Sequence, residues 1–292
     1  MKGALSLPLI RTEKLTHTYS IGTPFERVAV LDVDFEMEKG EYLAIIGHTG
    51  SGKSTFIQHL NGLLKPNSGR VFFEERDIHD SKDWTRQVRF MVGIVFQYPE
   101  YQLFESTLYD DIAFGPRNMG LSENEVHLRV MEAAGFASID ISLMDKSPFE
   151  LSGGLKRRAA IAGVIAMQPQ VLVLDEPTAG LDPQGREEII SNINEYKRAH
   201  DATIIMVTHN MEEVAKNVNR IVIFENGGIV MDGSPGEVFS QSERLLEMDL
   251  SPPQATLIAQ QLIKLGLKID KDIYTLSQLR FALNKLQSHK NN

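Results

Sequence analysis

Short apolar runs bounded by polar turns predict the strands of a buried sheet. Residues 42–46, 171–174 and 203–208 carry no charged side chain, which is typical of fully buried strands, and residues 92–97 predict a further one. Residues 30–37 instead alternate apolar and polar positions, as a half-exposed strand does. We expect an α/β fold with a mainly parallel sheet, preceded by a small β unit.

Helical periodicity replaces this pattern over residues 98–167, which predicts a helical subdomain inserted between two strands. Within it, Ser122 and Glu125 have the spacing of a capping box. The turn around Ser234-Pro235-Gly236 marks a boundary. We therefore expect one domain over residues 1–240 and a C-terminal helical extension over residues 241–292.

The apolar pattern of the C-terminal extension predicts two short amphipathic helices. The face of the first helix consists of Leu257, Ile258, Gln261 and Leu262. The face of the second consists of Leu276, Leu279, Phe281, Leu283 and Leu286. Each helix is too short to be stable alone, so we expect both to pack onto the core or onto a partner.

Composition narrows the class of protein. The chain has 292 residues, a net charge of −9 and no cysteine, so disulfides, thiolate zinc sites and cysteine nucleophiles are absent. A nucleic-acid binder would usually carry a basic surplus, so we expect no nucleic-acid partner. No apolar run approaches the ~18 residues of a membrane span. The first ten residues, interrupted by Pro8 and followed at once by charges, predict no signal peptide.

The first chemical signal is a phosphate-binding loop. It is the run Gly47, His48, Thr49, Gly50, Ser51, Gly52, Lys53, Ser54 and Thr55, which matches G-x-x-x-x-G-K-[ST] without a mismatch. A buried strand precedes the loop and a helical pattern follows it, so its amides and the helix N-terminus form an anion site. Lys53 is expected at the β and γ phosphates, and the Ser54 hydroxyl at Mg²⁺.

Polar side chains follow the other buried strands at their carboxyl ends, where α/β sheets bind ligands. Asp175 and Glu176 follow residues 171–174, and two acids beside a core are costly unless each has a task or a partner. We interpret Asp175 as the Mg²⁺-side carboxylate and Glu176 as the general base for an attacking water. The side-chain amide of Gln97 is a candidate to contact the Mg²⁺ or the attacking water, and His209 is a candidate to contact the γ-phosphate.

A second anion site is predicted at Ser152-Gly153-Gly154, where glycines lead into a helix. Because the phosphate loop already holds one nucleotide, this segment suggests a second nucleotide contact, such as one across a dimer. Arg157 and Arg158 follow, and we favour a solvated helix face for them. Asp182 is placed to cap the helix that begins at Pro183. Tyr19 is either an adenine-stacking residue or an ordinary strand tyrosine.

Together these motifs resemble the ATP-binding-cassette (ABC) ATPases over about residues 10–240. The phosphate loop, Gln97, Leu151-Ser152-Gly153-Gly154, Asp175-Glu176, Asp182 and His209 occur in that family's order. The resemblance implies a P-loop NTPase core with an N-terminal antiparallel β subdomain. It also implies a head-to-tail dimer that holds two ATP molecules, each between one subunit's phosphate loop and the other's Ser-Gly-Gly segment. Tyr19 then becomes the adenine stack.

A narrower resemblance is to energy-coupling factor transporters, most closely the second of their two ATPase subunits. It rests on residues 22–26, 47–49, 58–66 and 113–118. It implies a peripheral protein on the cytoplasmic face of the cell membrane that powers uptake of vitamins or other micronutrients. The implied partners are a second, similar ATPase subunit, a transmembrane coupling subunit docking near residues 97–118, and a substrate-capture membrane protein.

One residue departs from the family, since Leu155 stands where the signature segment usually has glutamine. Leucine offers no side-chain hydrogen bond, so we expect an altered contact but not a dead site. The alternatives are a cobalt, nickel or other ABC importer, a cassette of DNA repair or translation, and a non-enzymatic regulator. A repair or translation cassette would carry long coiled-coil insertions or a second cassette, and a regulator would lack Glu176 or His209.

Overall fold

The computed structural model describes residues 7–290, and the side chains of residues 7–287. Part of the stretch for which no signal peptide is predicted, residues 1–6, lies outside the described residues. The described chain divides into two compact units. One consists of residues 7–41 and Ser54–Val207, and the other of Tyr42–Lys53 and residues 208–290.

Strands and helices follow one another through most of the described chain. The strands are β1 (Ile10–Tyr19), β2 (Arg27–Met37), β3 (Tyr42–Ile46), β4 (Ser68–Phe73), β5 (Arg76–Asp77), β6 (Val92–Val95), β7 (Val171–Asp175), β8 (Thr203–Val207), β9 (Arg220–Glu225) and β10 (Gly228–Gly233). The helices are α1 (Lys53–Leu60), α2 (Lys82–Met91), α3 (Leu108–Asn118), α4 (Glu123–Phe136), α5 (Gly153–Ile165), α6 (Pro183–His200), α7 (Met211–Asn217), α8 (Pro235–Ser240), α9 (Ser242–Glu247), α10 (Gln254–Lys264) and α11 (Leu276–Lys290).

An antiparallel sheet forms the N-terminal part of the first unit, in the order β2-β1-β4-β5. In β2 the side chains of Val30, Val33, Phe35 and Met37 are buried, and most of those between them are exposed. The alternation read from the sequence is therefore confirmed. One face of this sheet packs inward and the other carries the polar side chains.

Three parallel strands form the second sheet region of this unit, with β7 between β6 and β8. Val171 of β7 pairs with Val92 on one side and Thr203 on the other. Every residue of the three strands is buried, which explains their unbroken apolar runs. Because the strands are parallel, their carboxyl ends lie at one edge, and the polar residues predicted to act together follow that edge.

The inserted helical subdomain contains α3, α4 and α5, and α3 packs against both of the others. The capping box is present as predicted: the Ser122 hydroxyl accepts from the N–H of Glu125, and the Glu125 carboxylate accepts from that of Ser122. The α/β class, the antiparallel N-terminal sheet, the helical insertion and the C-terminal helices are thus confirmed.

In the second unit, β3 pairs in parallel with β9, and β9 turns back into β10. Asn226 and Gly227 form this turn with φ of 50° and 84°, the positive values that a tight hairpin needs at both positions. Buried side chains of β3, β9, α7, α8 and α9 share one core, which includes Ile46, Ile221 and Phe239.

The C-terminal region holds more helix than the sequence suggested, since α9 lies within the span where only two helices were expected. The predicted face of the first helix is right only in part, because Leu262 packs against the C-terminal core cluster whereas Ile258 and Gln261 are exposed. The helix that carries them, α10, instead buries Ala255 and Ala259 against Leu279 of α11. None of the helices in the described chain is long and apolar enough to span a bilayer.

Candidate active site

The phosphate loop follows β3 and has little room around its first glycine. A Cβ on Gly47 would lie 2.2 Å from the backbone oxygen of Phe224 and 2.8 Å from the Ser51 hydroxyl, and its φ is 150°. Only glycine fits this combination of a crowded position and a positive φ. The motif therefore serves the packing of the loop on β9 as well as its approach to a ligand.

Lys53 folds back over its own loop. Its ammonium donates to the carbonyls of Gly47 at 2.5 Å and His48 at 2.7 Å. This holds the positive charge against the loop, whose amides and following helix N-terminus also favour an anion. The arrangement suits a polyphosphate.

Two further hydrogen bonds within the second unit hold the loop in place. The N–H of Gly227 donates to the Ser51 carbonyl at 3.0 Å, and Nε2 of His48 donates to the carbonyl of Met248. Met248 follows α9, 200 residues beyond His48. Sequence reasoning placed His48 in the loop but did not find this second contact, because nothing local to either residue signals it.

Ser54 and Asp175 come together in the first unit as predicted. The Ser54 hydroxyl donates to Oδ2 of Asp175 at 3.2 Å. Asp175 is 7% exposed and ends β7, so its carboxylate is held at the carboxyl edge of the parallel strands. A hydroxyl and a carboxylate oxygen are hard donors of the kind that Mg²⁺ takes from protein, usually one or two at a time beside phosphate oxygens. The pair fits a magnesium ion bound with a nucleotide.

Glu176 has an unusual backbone conformation, with φ of 51°. Its N–H donates to the carbonyl of Val207, the last residue of β8, at 2.9 Å, and its carbonyl accepts from Ala179. A non-glycine residue in the left-handed region costs roughly 1–2 kcal/mol and persists where the surroundings enforce it. The two backbone bonds enforce it here, and they aim the side chain away from the path that a continuing strand would give it.

Tyr19 is the last residue of β1 and is partly exposed. Its hydroxyl lies 3.2 Å from that of Thr55 in the first turn of α1, so one donates to the other. Its ring meets that of His17 edge to face, with centroids 4.6 Å apart. These contacts fix the ring beside the end of the phosphate-loop motif, with one surface exposed.

The other predicted residues lie on exposed segments. Gln97 follows β6 by two residues and is exposed. Ser152 caps α5 by accepting from the N–H of Leu155 at 3.4 Å, and a Cβ on Gly153 or Gly154 would meet nothing within 4 Å. Asp182 caps α6 as predicted, accepting from the N–H of Gly185 at 2.7 Å. An approaching molecule can therefore reach the Ser152–Gly154 backbone without obstruction from neighbouring atoms.

His209 belongs to the second unit and is exposed in the turn after Thr208. The turn is fixed on both sides of it: the N–H of Thr208 donates to the carbonyl of Ile45, and that of Asn210 donates to the Thr208 hydroxyl. Asn210 then caps α7. The imidazole is thus carried on a rigid turn, and its assignment to the γ-phosphate stays a prediction.

One interpretation from the sequence is wrong. Arg157 does not lie on a solvated helix face, since it is only 3% exposed. Its guanidinium forms two hydrogen bonds to Glu100 and a third to the carbonyl of Ala179. Hydrogen bonds to three acceptors offset the desolvation cost of burying the charged guanidinium. Arg158 does lie nearer the surface, where it contacts Glu188 at 3.6 Å.

Comparison with known proteins adds an independent finding. Residues 30–179 match the profile of the ABC transporter family. The chain is 49% identical over 282 residues to an energy-coupling factor transporter ATP-binding protein, EcfA2, of Clostridium tetani, covering 96% of this chain and 98% of that one. It is 50% identical to the corresponding protein of Clostridium perfringens, covering 97% and 99%.

Solved structures agree with these relatives. CbiO1 of Clostridium perfringens, described as part of the ABC transporter complex CbiONQ, has a TM-score of 0.73 at 38% identity, covering 88% of this chain and 99% of that chain. The dimeric ATP-binding cassette MJ0796, bound to ADP and phosphate, has a TM-score of 0.70 at 26% identity, covering 77% and 98%.

Proposed function

Because this chain belongs to the ABC transporter family and, within it, to the energy-coupling factor ATP-binding proteins, we propose residue by residue how it binds and hydrolyses ATP. The chain is an ATP-hydrolysing subunit of an energy-coupling factor importer, and hydrolysis is coupled to transport. The observation that carries the proposal is the hydrogen bond from Ser54, in the phosphate-loop motif, to Asp175 at the end of β7.

The phosphate loop, residues 47–55, binds the triphosphate through its amides. Lys53, which lies over the loop at the Gly47 and His48 carbonyls, exchanges these acceptors for the β and γ phosphates. Tyr19, fixed by Thr55 and His17, stacks on the adenine ring. Binding therefore combines charge neutralisation at one end of the nucleotide with ring stacking at the other.

The Ser54 hydroxyl and the Asp175 carboxylate would hold Mg²⁺, and Gln97 would be a further ligand or a contact to the attacking water. When bound, the ion neutralises charge on the β and γ phosphates during transfer. Among the described residues no cluster of three or more histidine or carboxylate side chains could hold a metal by itself.

Glu176 takes the proton from the water that attacks the γ-phosphorus, and His209 contacts the γ-phosphate. The left-handed backbone of Glu176 supports this role, because a strained residue fixed by two backbone hydrogen bonds holds its side chain in one direction. A positioned general base contributes typically 10²–10⁴-fold to the rate.

A second ATPase subunit completes each site. The exposed Ser152–Gly154 backbone at the N-terminus of α5 binds the nucleotide held by the partner's phosphate loop, and Asp182 lies at the same dimer interface. The similarity to a cassette described as dimeric supports this arrangement. The partner is a similar but distinct chain, so the pair is a heterodimer that ATP closes and hydrolysis reopens.

The membrane subunits dock on the helical subdomain. A groove of about 330 Å³ lies between α3 and α5, and its lining includes Phe104, Phe114 and Met167. The two phenylalanine rings meet edge to face at 4.9 Å and are 58% and 45% exposed. An exposed aromatic groove of this kind fits an apolar helix end of the transmembrane coupling subunit.

The complex lies at the cytoplasmic face of the cell membrane and imports vitamins or other micronutrients. Substrate choice belongs to a separate substrate-capture membrane protein. Nucleic acid is not a partner, in line with the net charge of −9. Similarity at 49% and 50% identity to energy-coupling factor proteins favours this importer over a cobalt, nickel or other ABC importer.

The test is a Glu176→Gln variant of this chain in the complex purified with its partners. We expect ATP affinity to stay within about threefold of wild type, while turnover at this chain's site falls by roughly 10²–10⁴-fold. Turnover at the other site is silenced in both samples by the equivalent substitution in the partner ATPase. Unchanged turnover would remove Glu176 from its proposed role.

A further inference from the structure

Arg157 lies at the meeting point of three segments that the proposed function uses. It sits on α5, three residues after Gly154, and its guanidinium reaches the turn that follows Gln97 and the turn that begins at Glu176. All three segments belong to the same compact unit. A buried arginine on a helix that presents its N-terminus to a nucleotide needs an explanation beyond surface charge.

The first connection is to Glu100. Nε and Nη2 of Arg157 donate to the two carboxylate oxygens of Glu100 at 3.1 Å and 2.9 Å, a bidentate pair. Glu100 lies in the short 3-10 helix Pro99–Gln102, three residues after Gln97. Burial acts to raise the pKa of Glu100, but the hydrogen bonds and charge of Arg157 outweigh it and lower that pKa. Glu100 is therefore held as a carboxylate.

The second connection is to the backbone after β7. Nη1 of Arg157 donates to the carbonyl of Ala179. The N–H of Ala179 in turn donates to the carbonyl of Glu176 at 3.1 Å, so Ala179 closes the turn in which Glu176 adopts its left-handed conformation. Displacement of the guanidinium would free one end of that turn.

The intervening residue Tyr98 adds a third contact. Its ring centroid lies 5.9 Å from Cζ of Arg157, and its own φ is 55°. The backbone between Gln97 and Glu100 is thus bent sharply around the guanidinium. A planar group with five donors in a fixed fork can fix these directions, whereas a lysine ammonium cannot.

We propose that Arg157 is a positioning residue for hydrolysis, which fixes the Gln97 loop and the Glu176 turn to the helix that carries Ser152–Gly154. The inference rests on the proposed roles of Gln97, Glu176 and the Ser152–Gly154 segment. Through Arg157, a shift of α5 on partner binding changes the position of the general base. Hydrolysis then depends on assembly without any direct contact between the partner and Glu176.

The test uses the complex purified with its partners and compares kcat, KM for ATP and melting temperature. Arg157→Met, which has no donors, should lower kcat roughly 10- to 100-fold, as small misplacements of catalytic groups do. KM should change by less than about threefold, since the phosphate loop is untouched. The kcat of Arg157→Lys should lie between those of Arg157→Met and wild type. Arg158→Met, on the same helix, is the matched control, and its kcat should stay within about twofold of wild type.

Loss of the buried partner of Glu100 also lowers stability, so a double variant separates the two effects. In Arg157→Met with Glu100→Gln, no charge is left unpaired, and the melting temperature should recover towards wild type. The Ala179 carbonyl still lacks its donor, so kcat should stay low. If kcat and melting temperature recover together, Arg157 only neutralises Glu100 and the inference is overturned.

The Glu176→Gln complex is measured alongside as a reference. If Glu176→Gln abolishes turnover while Arg157→Met leaves kcat unchanged, the positioning role fails and the proposed function stands. If Glu176→Gln retains full turnover, the proposed function fails first, and with it the basis for assigning Arg157.

Discussion

Replacing Gly47 with alanine tests whether the phosphate loop needs its close packing on β9. The added Cβ would lie 2.2 Å from the oxygen of Phe224 and 3.2 Å from its carbonyl carbon. Phe224 is buried in β9, which pairs with β3 on one side and β10 on the other, so its backbone cannot retreat. The loop must therefore move by roughly 1 Å, and overpacking of this kind costs about 1–3 kcal/mol.

The consequence falls on nucleotide binding. The loop of the Gly47→Ala protein relaxes away from β9, and a bound triphosphate must restore the strained shape. A cost of about 1–3 kcal/mol, borne only by the bound state, raises the Kd for ATP by roughly 5- to 150-fold. The assay is titration with a fluorescent ATP analogue at fixed Mg²⁺, with the melting temperature recorded for each protein.

Gly135→Ala is the matched control, because Gly135 lies in α4 and a Cβ there would meet nothing within 4 Å. It should bind ATP as wild type does, with equal or slightly higher stability. Wild-type ATP affinity in Gly47→Ala would refute the steric argument, and would mean that the loop in solution does not pack on β9 as described.

Three further predictions concern other parts of the molecule. A Cβ on Gly154 would meet no neighbouring atom, so Gly154→Ala should leave the ATP affinity of the isolated chain unchanged. It should lower turnover of the complex roughly tenfold or more, because the segment serves the partner's nucleotide. Turnover equal to that of wild type would exclude that contact. Burial chiefly lowers the pKa of His59 to about 4 from 6.5, so the unfolded chain takes up a proton first as the pH falls. In urea titrations the free energy of unfolding should keep the whole His59 contribution above pH 6.5 and should be about 3 kcal/mol smaller near pH 4. A His59→Gln variant whose free energy of unfolding has the same pH dependence as wild type would contradict this. Phe104→Asp should weaken co-purification with membrane partners while ATP affinity is retained. Leu128→Asp, at an exposed position on α4, is the control and should change neither property. If both variants assemble with the membrane partners as wild type does, the docking surface lies elsewhere.

Features with a local signal could be predicted from the sequence. The phosphate loop lies between an apolar run and a helical pattern, and both flanking elements, β3 and α1, occur where expected. Asp175 and Ser54 could be expected to act together, because each belongs to a motif with a fixed position relative to its strand or helix. Their side chains are in hydrogen-bond contact in the structure, and their joint role stays a prediction.

Features that depend on distant residues could not be predicted. The burial of Arg157 requires Glu100, 57 residues earlier, and the His48 contact requires Met248, 200 residues later. An isolated Lys-Arg-Arg run is more often solvated, so the local pattern favoured the wrong environment. In α10 the apolar period is visible in the sequence, but the face that packs is set by contacts with residues further along the chain, such as Ile273 and Leu279.

The most direct test of the account is to locate the nucleotide. The measurement is a structure of the complex that carries Glu176→Gln in this chain, determined with ATP and Mg²⁺. We expect a triphosphate on the amides of residues 47–55, with Lys53 at its phosphates and with Ser54 and Asp175 beside the ion. A Ser-Gly-Gly segment of the partner ATPase should lie against the same nucleotide. A nucleotide bound elsewhere on the chain, with no phosphate at this loop, would contradict this expectation.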